Sequence, residues 1–145
     1  MRALSVFATT LATMSLLLLS APSAQASDLK VLKPWVSLPL LPDEPAPVYF
    51  GMQNNGDKPR KIVGGKSPRA ERVEIHRTVF EGGRETSKRI EEWEVPNGGA
   101  VSFAQGGVFL VLFGPKDLEE GEKIEIELEF ANGENARFKA LVRDE

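Results

Sequence analysis

The chain has 145 residues, 18 basic against 21 acidic, with one histidine and no cysteine. That length suits one domain with a real hydrophobic core. The missing thiols exclude disulfides, thiolate metal sites and cysteine catalysis. The slightly acidic balance excludes the basic face that nucleic-acid binding requires.

Met1-Arg2 is followed by a short apolar core ending in LLLLS, Leu16 to Ser20, and then by Ala24-Gln25-Ala26. A basic start, an apolar stretch too short for a comfortable span and an A-x-A end describe a secretory signal peptide, residues 1–26, cleaved after Ala26. The mature protein is then 27–145, a single exported domain. Its only loss of charge is Arg2, which leaves a net charge of −4. No second hydrophobic span follows, so the mature protein is expected not to span the membrane.

Strand signals fill the rest. Strands are expected over Val31 to Leu38, with Trp35, and over Val48 to Gln53. Between them LPLLPDEPAP, Leu38 to Pro47, is too proline-rich for a central strand and reads as a loop. Arg60 to Val63, Arg72 to Phe80, Arg89 to Val95 with Trp93, and Ala100 to Phe103 follow, punctuated by turn residues such as Glu81-Gly82-Gly83 and Pro96-Asn97-Gly98-Gly99. GGVFLVLFG, 106–114, reads as a buried strand behind a Gly-Gly turn. In Lys123 to Phe130, KIEIELEF, strict alternation puts Ile124, Ile126, Leu128 and Phe130 on one face. Asn132-Gly133 then makes a hairpin with ARFKALV. PKDLEEGE offers at most one turn of helix. Many short strands without a 3.6-residue period predict an all-β fold, a sandwich or barrel.

Few residues carry chemistry. His76 lies inside the strand VEIHRTVF, and Met52 is the only methionine of the mature chain. A hydrolytic triad would have to join His76 to Ser87 or Ser102 and a carboxylate, and no nucleophile-elbow pattern supports it. The Gly-Gly pairs open no helix and are hairpin turns rather than phosphate loops. The chain is therefore not expected to be an enzyme.

The order of segments is distinctive: the exported leader, the strand with Trp35, APVYFGMQNNGD, RVEIH, VPNGGAVSFAQGGVFLVLFG, then LEEGEKIEIELEF. From about Trp35 to about Val142 the chain resembles the periplasmic copper chaperone family PCu(A)C. That resemblance implies a small antiparallel Greek-key β-sandwich, described as cupredoxin-like. It also implies a role in carrying Cu(I) outside the cytoplasm and delivering it to the copper centre of cytochrome oxidase. The family's ligands are a histidine ending the segment like VEIH, a methionine after ten intervening residues, and His-x-Met after twenty-one more. Cu(I) is soft and suits imidazole and thioether, and ligands at i and i+2 share one strand face.

The same spacing in this chain lands on His76, Ser87, Phe109 and Val111. His76 is the only family ligand kept, and Ser87, Phe109 and Val111 cannot bind Cu(I). Phe50 follows Tyr49 where relatives carry Tyr-Met, which leaves Met52 as the candidate substitute. Two readings remain, the first taken as the expectation and the second as its alternative. One is a copper-handling family member with a largely lost site. The other is a metal-free periplasmic β-sandwich that binds a periplasmic or membrane-anchored protein partner through an apolar patch at the former copper site. Neighbouring genes for copper handling would favour the first. Mass spectrometry of the exported protein is expected to find Ser27 at its N-terminus, and a full-length chain retained in the membrane fraction would refute the leader.

Overall fold

Alternation in KIEIELEF organises the interior. Ile124, Ile126, Leu128 and Phe130 are at most 4 % exposed, and they meet the inward side chains of the facing strands. In the computed structural model, which describes residues 28–144, the chain forms β1 (Leu29–Ser37), β2 (Ala46–Asn54), β3 (Arg60–Lys66), β4 (Arg72–Glu81) and β5 (Arg84–Ile90). β6 (Trp93–Val95), β7 (Ala100–Phe103), β8 (Val108–Phe113), β9 (Lys123–Phe130) and β10 (Asn135–Arg143) follow. The expected signal peptide, 1–26, lies outside the described residues.

The strands pair in the order β5-β4-β8-β7-β2-β1-β10-β9-β3-β6, with further contacts β8–β2 and β4–β3. The last contact, Gly65 opposite Val73, closes the ladder on itself, so the fold is an all-β sandwich whose two layers join at their margins. A glycine is needed at this crossing, because a Cβ on Gly65 would lie 2.8 Å from the Glu127 carbonyl oxygen. Pairing is antiparallel except β1 with β10 and β7 with β8, which are parallel.

One core fills the space between the layers. Val36 of β1, Val48 and Phe50 of β2, Ile75 of β4 and Leu110 and Leu112 of β8 pack there against β9 and β10. Burial of such side chains, ~1.5–3 kcal/mol each, is what holds a domain without disulfides. Gly82 and Gly83, with φ of 59° and 77°, make the two-residue turn between β4 and β5, a geometry with positive φ at both central positions that favours glycine.

Three sequence expectations change at their margins. Arg89 to Val95 is not one strand: Ile90 ends β5 and Trp93 begins β6. Arg84 to Lys88 was missed because β5 is an outermost strand, exposed almost throughout, and its polar residues carry no alternation. The proline-rich loop is shorter than expected, since Ala46 and Pro47 already belong to β2, opposite Leu112 and Val111. PKDLEEGE, expected to hold at most one turn of helix, forms bends and turns. It is held instead by Arg69, which donates from Nε to the Lys116 carbonyl at 2.9 Å and pairs with the Glu122 carboxylate at 2.8 Å.

Truncation of a buried β8 residue, Leu110→Ala, is expected to cost ~2–5 kcal/mol in urea denaturation. Leu40→Ala, on a side chain 91 % exposed, should stay within ~0.5 kcal/mol of wild type.

Candidate functional site

β4 and β8 are antiparallel neighbours, so their side chains meet in opposed pairs. Ile75 faces Leu110 and Val73 faces Leu112, both pairs turned to the core. Between them His76 stands opposite Phe109, Glu74 opposite Val111 and Arg72 opposite Phe113, all on the outer face. β5 adds Ser87, opposite Thr78. The four positions singled out by spacing are therefore gathered: Phe109 and Val111 share one strand face, and His76 lies within hydrogen-bond reach of Ser87.

The His76 ring is buried and engaged at both nitrogens. Nε2 is 2.9 Å from Glu74 Oε2, and Nδ1 is 3.2 Å from Ser87 Oγ. A carboxylate can only accept, so Nε2 carries the proton, and in the neutral ring Nδ1 accepts from the serine hydroxyl. Glu74 also accepts from Arg72 Nε at 2.7 Å. The Arg72 hydrogen bond first, and that of His76 second, hold its carboxyl below the usual carboxylate range against the opposing effect of burial.

Around this chain the outer face is aromatic. Ring centroids follow one another from Trp35 to Tyr49 at 4.8 Å, Tyr49 to Phe109 at 6.1 Å, Phe109 to His76 at 6.3 Å and His76 to Phe113 at 5.6 Å. Arg143 stacks over Trp35 with Cζ 3.8 Å from the ring centroid, and Arg72 over Phe113 at 4.1 Å. Val111, 5 % exposed, is covered within the same layer.

Met52 is fully buried and aligned with Val48 and Phe50, on the core side of β2. It faces away from the layer that holds His76 and is not available beside it. Sequence reasoning also missed Glu74, Arg72, Tyr49 and Phe113 as members of this face. For Glu74 a signal existed, because it stands two residues before His76 and so shares its strand face.

The one imidazole is hydrogen-bonded at both nitrogens, and the other three positions offer a hydroxyl, a phenyl ring and an isopropyl group, none of them a soft donor for Cu(I). Among the described residues no group of three or more His, Cys, Asp or Glu side chains is placed to hold a metal ion. The chain Ser87–His76–Glu74 has the atoms of a hydrolytic relay. Its serine, however, lies on an exposed outermost strand, and three depressions of the described surface are lined by other residues.

Residues 29–142 match the family described as "Putative lipoprotein LpqE-like". The chain belongs to the LpqE-like family. A protein of Leifsonia xyli named "Putative lipoprotein Lxx21020" is 31 % identical over 126 residues, 85 % of this chain and 74 % of that protein. Among solved structures, the apo PCuAC domain from PmoF1 superposes with a TM-score of 0.67 at 27 % identity, covering 81 % of this chain and 95 % of that domain. The Cu(I) form of DR1885 from Deinococcus radiodurans gives 0.61 at 25 % identity, covering 82 % of each. The LpqE-like chain is thus a PCu(A)C-type domain, and the resemblance read from its segments holds, cupredoxin-like sandwich included. One of these relatives is named as a lipoprotein and another is solved in its Cu(I) form. Among the described residues no helix is long and apolar enough to cross a membrane.

A carboxyl held below its ordinary range stabilises the fold above that range, and this stabilisation is lost as pH falls through the lowered value. Glu74→Gln is therefore expected to be less stable than wild type at neutral pH, with the difference shrinking below about pH 4. Urea midpoints of both proteins across a pH series check this.

Proposed function

We propose that this protein is an exported, non-enzymatic relative of copper chaperones that engages a periplasmic or membrane-anchored protein partner through its aromatic outer face. The observation that carries this reading is the state of the four ligand positions. His76 is saturated by Glu74 and Ser87, while Phe109 and Val111 extend an aromatic layer instead of binding metal. An outer sandwich face is ordinarily polar; here Tyr49 and Val111 are covered, and the half-buried rings of Trp35, Phe109 and Phe113 are what the layer offers a partner.

Export rests on the leader, 1–26, with the domain taken as 27–145 and the periplasm as its destination. The relatives' lipoprotein names agree with export. The 145 residues contain no cysteine, so none of them can carry a lipid as a cysteine thioether.

Copper handling is the second reading, favoured by the retained His76 at its family position. In that reading copper is cargo, held by His76 with few other soft donors, at an affinity far below that of a four-ligand relative. Competition titration with a Cu(I) chelator separates the two. Wild type is expected to show no tight one-to-one binding, and such binding would overturn the proposal. Ser87→Met, Phe109→His and Val111→Met combined should restore Cu(I) binding. A folded triple variant without any gain would show that the frame of the relatives' site is not preserved.

A further inference from the structure

Beside the aromatic row, and away from His76, the outer face holds a depression of about 430 Å³, within the size range of small-molecule sites. Its form follows from three local departures from regular sheet. Gly51, directly opposite Leu32 on β1 and Ser102 on β7, contributes no side chain and leaves the floor open. The β1–β2 register shifts between Leu32 and Trp35, and within this bulge Lys33 has φ of 46°. That backbone region is costly for any side chain other than glycine, and bulges commonly re-aim a side chain. The Trp35 and Tyr49 rings, 4.8 Å apart, form one wall, and Phe103 lies at the base.

The polar groups at this depression have one character. Lys33 supplies an ammonium, Ser102 a hydroxyl and Gln105 an amide, and no carboxylate lines it. Among the described residues no acidic side chain forms an ion pair with Lys33. Aromatic walls favour a flat apolar body, and an unpaired cation with neighbouring donors favours a carboxylate.

We propose that this depression is a binding site for a small aromatic carboxylate, its ring against Trp35 and Tyr49 above Gly51 and its carboxylate on Lys33. The site shares Trp35 and Tyr49 with the aromatic face but does not depend on that face docking a partner.

Calorimetric titration of the exported protein with 2-naphthoate, 2-naphthylmethanol and 2-naphthylmethylamine tests the proposal. The acid should bind about tenfold or more tighter than the alcohol, the advantage of a charge-assisted hydrogen bond, and the amine should not bind. Lys33→Arg should retain binding and Lys33→Glu should lose it. Both keep the same backbone cost at this position, so neither is expected to alter the melting temperature. Gly51→Leu should abolish binding by filling the floor. Its Cβ would lie 3.3 Å from Leu32 Cβ, a contact that rotation of the Leu32 side chain does not relieve, so the melting temperature of this variant is measured alongside and only loss of binding by a folded Gly51→Leu protein counts. In a Trp93→Phe background, ligand should change the fluorescence of Trp35, which places the ligand at this site. Equal affinity for acid and alcohol, unchanged binding by Lys33→Glu, or no binding of the acid to folded wild type at millimolar concentration would each overturn the assignment.

Discussion

The register between β4 and β8 decides what this molecule presents to its surroundings. Pairing His76 with Phe109 sends Ile75 and Leu110 into the core and turns His76, Glu74, Phe109 and Val111 outward together. A slip of one residue would exchange the two sets and bury a histidine and a glutamate among aliphatic side chains. The core enforces the register, because Leu110 and Ile75 are almost fully buried. The outer face is arranged as a consequence of interior packing.

On that face a polar chain and an apolar layer are interleaved. Arg72, Glu74, His76 and Ser87 satisfy one another in sequence, so a largely buried histidine and a mostly covered carboxylate sit in an aromatic setting without an orphaned atom. The rings around them contact edge and face, with tilts of 39° to 50° among Trp35, Tyr49, Phe109, Phe113 and His76. A soft metal would have to break this closed set of partners, whereas an apolar partner surface would leave it intact. The frame of a PCu(A)C-type domain is thus combined with a face on which three of the four family ligand positions hold Ser, Phe and Val.

Local patterns carried much of this. Lys123 to Phe130 announced both its strand and its buried face, and Asn132-Gly133 announced the hairpin, because alternation and turn chemistry are properties of neighbouring residues. The same signal fails at Arg84 to Lys88. An outermost strand wet on both faces needs no apolar residue, so its identity comes from β4 alone. Met52 was a reasonable substitute ligand by position, yet its phase along β2 assigns it to the core with Phe50.

By itself the sequence determined the strand-rich class, the absence of thiol chemistry and, through its resemblance to the PCu(A)C family, that three of the four ligand positions of that family hold Ser, Phe and Val. These are matters of residue type and short-range order. Only the tertiary structure decided that Glu74 and Ser87 occupy both nitrogens of His76. It also decided that Trp35, Tyr49, Phe109 and Phe113 line up with His76 in one layer, and that Lys33, without an ion pair among the described residues, borders the same depression as Gly51. The contacts of β8 with β2 and β4 join residues far apart along the chain. Their geometry follows from strand register and from the closure of the sandwich, which no local stretch encodes.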